Sequence, residues 1–330
     1  MKKKPIIVTV FLILLLILVQ IIFFSFNGNS ELEKVSLRHS WIIDANTAGY
    51  IAAIEKGFYK DEGLDVTINS GGVDANPITM VASGSDTFGN IAGSEEILMA
   101  RDKGIPIKAV FATHQNNAYV FITKKDSGIN SPNDFEGKKV FVQYGKGSEI
   151  LYRALIKKLN VDTSKIEEVP LKFDYSEFLE DRVPIAPAFI NNQVVIFENQ
   201  GVDLNIFYPK DYGITSYGYL IITKDSTIKN NPELVQKFVR ATTKGWEYAL
   251  ENKEEAVDFV LKYNSELDRD LQMRVFDSAI QNMITSNEKV GTMKKERWET
   301  TQNILLDQNL ISSKFPIEEV YTTEFLEDLN

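Results

Sequence analysis

The chain contains no cysteine in its 330 residues, and that absence closes several chemistries together. Disulfides, thiolate metal sites, cysteine nucleophiles and a lipid tether on cysteine are all excluded. Histidine is almost as scarce, with only His39 and His114, far apart in sequence. A histidine-built metal site is therefore not expected, and no catalytic constellation stands out. Positive charge is also short. The formal net charge is −10, and no basic run interleaved with aromatics interrupts the body of the chain, so nucleic acid is a poor partner. The acidic balance itself reads as a solvated surface.

The amino terminus departs from this ordinary composition. Lys2, Lys3 and Lys4 precede an uncharged run from Pro5 to Phe26 that is broken only by Thr9, Gln20 and Ser25. About 20 apolar residues suffice to cross a bilayer as a helix, whereas a secretory signal has an apolar core of about 7–15. Residues 1–30 are therefore expected to be a membrane anchor, or a cleaved signal with Gly28-Asn29-Ser30 as its weak site. Either way the lysines stay inside and Glu31 onward faces outward.

From Gly49 to Asn90 the chain strings together an amphipathic segment (Tyr50 to Glu55), glycine-marked turns at Gly57 and Gly63, and a β-branched run from Leu64 to Ile68. A Gly71-Gly72 pair follows. A helix then opens at Pro77 with Asn76 as cap and closes at Gly84, before a short strand ending at Asn90. Further strands are expected at Val35–Leu37, Ile107–Phe111, Tyr119–Ile122, Val140–Gln143, Ile185–Ala188 and Tyr219–Thr223. Helical periodicity marks Glu149–Leu159, Glu254–Lys262, Asp268–Ile284 and Lys294–Leu306. It is also clear after Pro232, where Val235, Phe238, Val239, Thr242, Trp246 and Ala249 share a stripe. Such alternation predicts an α/β fold with largely parallel sheets.

The Gly49–Asn90 string resembles solute-binding proteins of ABC importers, in particular the branch that binds the pyrimidine precursor of thiamine. Other matching pieces are Ile97–Val110 (ILMARDKGIPIKAV), Gly128–Val140, Asp203–Ile214 and Asn231–Ala256. Relatives for sulfonates, nitrate or riboflavin-like rings share this framework. The resemblance implies a two-lobed periplasmic-binding-protein-like fold of type II, each lobe a mostly parallel sheet flanked by helices. Lobe one would hold residues 31–118 and 219–330, and lobe two residues 119–218. It implies a monomer without catalytic residues, cofactor or metal, which closes on a small-molecule ligand and delivers it to permease and ATPase subunits. A sulfonate or nitrate binder and a membrane-anchored sensor are the alternatives. A fungal branch of the same superfamily makes the pyrimidine from its own histidine and carries a cysteine-rich iron motif; this chain has Thr47 at the histidine position.

Three further departures bear on the ligand. Ile43 stands at a proline position, Gln193 where the family tends to carry an acid, and Tyr219 at another acid position. An amide in place of a carboxylate removes the partner of a basic ligand nitrogen, so an uncharged heterocycle is expected. Trp41 and Tyr50 offer flat faces, although both residue types also pack cores. Asn46, Asn90, Gln115, Asn191 and Asn192 offer edge hydrogen bonds, or serve as ordinary turn residues. Ser94 reads first as a helix cap. Tyr144, Gly147 and Ser148 join a strand to a helix whose free N–H groups suit a polar ligand group; capping alone is the plainer reading. Trp246 and Trp298 are expected in the core.

Overall fold

A computed structural model describes residues 31–72, 74–172, 174–284 and 288–329; the expected anchor or signal at Pro5–Phe26 lies outside the described residues. Ten strands occur among these residues. They are β1 (Glu33–Arg38), β2 (Leu64–Asn69), β3 (Phe88–Gly93), β4 (Ile107–His114), β5 (Tyr119–Lys124), β6 (Lys139–Val142), β7 (Glu167–Pro170), β8 (Ala186–Phe189), β9 (Leu204–Phe207) and β10 (Gly218–Lys224). The helices used below are α1 (Ala48–Glu55), α2 (Pro77–Ser83), α3 (Ser94–Asp102), α4 (Gly147–Lys158), α5 (Gln193–Asn199), α6 (Pro232–Glu251) and α7 (Lys295–Asp307).

The first sheet has the order β2-β1-β3-β10-β4. β1 and β3 are parallel, and β10 is antiparallel to both of its neighbours. A second set repeats the pattern. β5 runs antiparallel between β8 and β9, while β6 and β7 pair in parallel. A parallel bridge from Val140 to Ile185 joins the two pieces into the order β7-β6-β8-β5-β9. Both sheets are therefore more mixed than the largely parallel expectation. The antiparallel members are the strands by which the chain enters a sheet from the other one: β5 follows β4 across residues 115–118, and β10 follows β9 across 208–217. Those two passages run side by side, with Asn117 N bonded to Ser216 O at 2.9 Å. β7 and β9, which were not expected, are four-residue edge strands.

Local chemistry explains several elements directly. Asn76 accepts from Thr79 N at 3.2 Å, Pro77 stands in the first turn, and Gly84 ends α2 at φ 84°; a cap of this kind contributes about 1 kcal/mol. In α6 the whole expected stripe, Val235 to Ala249, is buried. α6 packs on α1 at close approach, since a Cβ on Gly245 would lie 2.3 Å from Gly49 O and 2.6 Å from Ala53 Cβ. Trp246 meets Tyr50 edge-on at 5.1 Å, and Trp298 stacks on Tyr321 at 5.4 Å. Both tryptophans are fully buried. Among the described residues no helix is long and apolar enough to cross a membrane.

Candidate functional site

Ligands of open α/β folds sit beyond the carboxyl ends of the parallel strands, and a cavity lies there between the two sheets. From the first sheet it is lined by His39, Ser40, Trp41, Asp44 and Asn46 after β1, by Ile91 and Ala92 of β3, and by Glu96 of α3. The second contributes Gln143 and Lys146 after β6, Ala188 and Phe189 of β8, Asn192 and Gln193. Gly72, Asn76 and Pro77 add to the first side and Tyr175 to the second, and Tyr119 and Tyr219 complete it. These two stand at the starts of β5 and β10, and because those strands run antiparallel, their starts lie at the carboxyl ends of their neighbours.

Aromatic rings dominate the walls. Tyr119 lies 4.2 Å from Phe189, and Phe189 lies 6.5 Å from Tyr219. His39 stacks on Tyr219 at 6.2 Å, and His114 lies 4.5 Å from it. Tyr219 adopts φ 47°, a left-handed conformation costly for a bulky residue, and such strain concentrates at functional sites.

Polar groups sit among the rings. Asp44 caps the helical turn Ala45–Thr47, accepting from Asn46 N at 2.9 Å and Asn46 Nδ2 at 3.2 Å. Burial pushes its pKa up to about 6 against the pull of those bonds. Asn46 Oδ1 in turn accepts from Asn191 Nδ2. Burial also raises the pKa of Glu96, partly opposed by Lys146, and lowers His39 to about 4, leaving a neutral imidazole at pH 7. The site read from Gln193 as lacking an acid thus contains two carboxyl groups, while the Gln193 side chain accepts from Phe189 N at 3.0 Å.

Of the expected site residues, Trp41, Asn46 and Asn192 line the cavity. Asn191 stands behind it, bonded to Asn46, and Ser148 donates to the lining Gln143 at 2.9 Å. Gly147 packs against Glu95 and Tyr119 behind the wall. The others lie off the lining. Tyr50 is buried in the core, its hydroxyl 2.7 Å from Thr113 Oγ1 and accepting from Asn90 Nδ2 at 3.1 Å. Ser94 is the first residue of α3 rather than its cap, which is Gly93, and its Oγ accepts from Tyr217 N. Gln115 donates to Lys289 O and Thr292 O, and Tyr144 is exposed with its hydroxyl on Glu168. Sequence reasoning passed over His39, Asp44, Glu96, Tyr119, Tyr175 and Phe189. The available signal was position, and only for three of them: His39 follows a strand, Tyr119 begins one and Phe189 ends one, whereas Asp44, Glu96 and Tyr175 lie several residues beyond a strand end.

Known proteins show the same frame. The chain is 28% identical over 313 residues to the riboflavin-binding protein RibY of Chloroflexus aurantiacus, covering 91% of this chain and 88% of that one. It is 26% identical to a formylaminopyrimidine-binding protein of Halalkalibacterium halodurans, with 83% and 84% covered. It is 24% identical to a 4-amino-5-hydroxymethyl-2-methylpyrimidine phosphate synthase of Legionella pneumophila, with 91% and 94% covered. The periplasmic aliphatic sulphonate binding protein SsuA of Escherichia coli superposes with a TM-score of 0.71 at 14% identity, over 88% of this chain and 92% of that one. The fold is that of periplasmic binding proteins. A family model described as NMT1/THI5 like matches residues 44–256, and the chain belongs to the NMT1/THI5-like family.

Proposed function

We propose that this protein is an extracytoplasmic solute-binding protein that captures a small flat heterocycle, foremost a pyrimidine precursor of thiamine, for an ABC importer. The observation that carries the reading is the cavity itself: aromatic walls drawn from both sheets, with Asp44, Asn46, Gln143 and Asn192 to meet ring-edge groups. Two relatives named for flat heterocycles, riboflavin and formylaminopyrimidine, support it. Residues 31–118 with 219–330 form one lobe and 119–218 the other. Closure about the paired passages 115–118 and 208–217 buries the ligand.

Nothing in this reading requires bond chemistry. Two relatives are named as synthases, but the resembled histidine position is Thr47 and the sequence has no cysteine for an iron motif. A sulfonate is the second reading, favoured by Lys146 at the cavity and the start of α4 beside it. The carboxyls of Asp44 and Glu96 oppose it. Permease and ATPase subunits are the partners, with Pro5–Phe26 holding the protein at the outer face of the membrane.

A thermal-shift series tests the reading. At 100 times its dissociation constant a true ligand adds about 2.7 kcal/mol of stability. A pyrimidine or flavin shift is expected, and a shift with sulfonates alone would overturn the heterocycle.

A further inference from the structure

Directly behind the cavity wall lies an acid that the binding site does not use. Glu95 of α3 is fully buried. Its neighbour Glu96 faces the cavity from the first sheet's side, and Lys146 faces it from the second. The Glu95 carboxyl lies against Gly93 and Gly147: a Cβ on Gly147, the residue after Lys146, would lie 2.3 Å from Glu95 Oε1, and one on Gly93 would lie 2.1 Å from it. The carboxyl also touches the passage between sheets, where Asn117 Nδ2 approaches Oε1 at 3.5 Å and holds Ser216 Oγ at 3.1 Å. Among the described residues Glu95 Oε2 has no hydrogen-bond partner and Glu95 enters no ion pair.

A charged carboxylate so placed would lose its hydration without gaining a cation, so the neutral acid is the stable form. The titratable and charged groups around it reinforce this. Glu96 on its own helix adds like charge, Tyr119 of β5 is a neutral phenol, and Lys146 opposes Glu96 rather than Glu95. Burial foremost, then Glu96, push Glu95 up to about 8.

We infer that Glu95 is a positioning residue whose neutral carboxyl braces the two halves of the cavity wall, so that ligand capture takes up a proton. This rests on the two-lobe reading above: when the lobes part, α3 and the start of α4 separate, water reaches Glu95, and it ionises. Closure then requires protonation. The sign follows. Capture is strongest below the carboxyl's ordinary range and weakens as pH rises toward the closed-state value.

The test compares the full chain with E95Q, which keeps the shape and cannot ionise. Formylaminopyrimidine and riboflavin are titrated calorimetrically in buffers of different ionisation enthalpy, from pH 5 to pH 8. At pH 6.5 the wild type should take up roughly one more proton per ligand than E95Q, and its dissociation constant should rise by up to about tenfold per pH unit more steeply. Asp44 and the ligand titrate in both proteins and cancel in the difference, and any shift in Glu96 between the two is itself a consequence of its coupling to Glu95. If E95Q fails to melt cooperatively, Glu95→Met takes its place. Equal proton uptake and parallel pH profiles would overturn the brace while leaving the binding role intact. Failure of both probes to bind the wild type would remove the cavity reading, and the coupling with it.

Discussion

Asn191 donates a side-chain hydrogen bond to Asn46 Oδ1, tying the segment after β8 to the helical turn after β1 and so linking the two sheets at the cavity. Both asparagines are buried. Asn191→Ala leaves the Asn46 oxygen without that donor, a loss of about 1–3 kcal/mol for a buried group. If the bond belongs to the closed state, ligand affinity falls at least about fivefold with little change in the melting temperature of the free protein. An unchanged dissociation constant in calorimetry would show that the bond is not part of capture.

Trp41 lines the cavity while remaining 41% exposed, so removing it should leave the fold intact. Trp41→Ala is expected to weaken a ring ligand by about 1 kcal/mol or more through lost stacking and area, and an alkyl sulfonate by less. Calorimetry on both ligand classes reads the difference.

Tyr219 combines a left-handed backbone with a place in the cavity wall. Tyr219→Gly and Tyr219→Ala both delete the ring, but only glycine adopts that backbone freely. The glycine variant should be more stable than the alanine variant by about 1–2 kcal/mol in denaturant unfolding, with both binding poorly. Equal stabilities would mean that the backbone relaxes without the ring.

Asp44 gives a pH signature. Its pKa in the fold is raised to about 6 by burial, above the ordinary value of about 3.9. A raised carboxyl favours the fold while protonated, so its contribution is full below about pH 4 and is lost as pH rises through about 6. Wild-type stability should therefore fall relative to D44N across that window and run parallel above it. Urea unfolding of the two proteins at pH 4, 5, 6 and 7 checks this.

Much of the fold was legible because its signals are local. Asn76, Pro77 and Gly84 bound α2 by capping chemistry alone, and the stripe from Val235 to Ala249 announces its buried face. β7 and β9 escaped because four-residue edge strands carry no clear periodicity. The cavity was legible only where loops follow strands, as at Trp41, Asn46 and Asn192. Tyr50 and Asn90 lie in the same stretch of chain yet face inward to Thr113 and to each other, because which side an element turns to the cavity depends on packing. Tyr119 and Tyr219 depend on strand direction, fixed by pairing with residues distant in sequence.

Helix packing supplies a stability check independent of ligand. Gly245→Ala drives a methyl into Gly49 O and Ala53, and overpacking of this kind costs about 1–3 kcal/mol. A melting temperature equal to that of the wild type would mean that α6 and α1 are not held at this spacing.

The central claim, capture of a flat ring between two closing lobes, is met most directly by small-angle scattering of the purified protein with and without saturating formylaminopyrimidine or riboflavin. The account predicts that at least one of these rings lowers the radius of gyration, while an alkanesulfonate at the same concentration does not. A radius unchanged by both rings at demonstrated saturation, or compaction by the sulfonate alone, would contradict it.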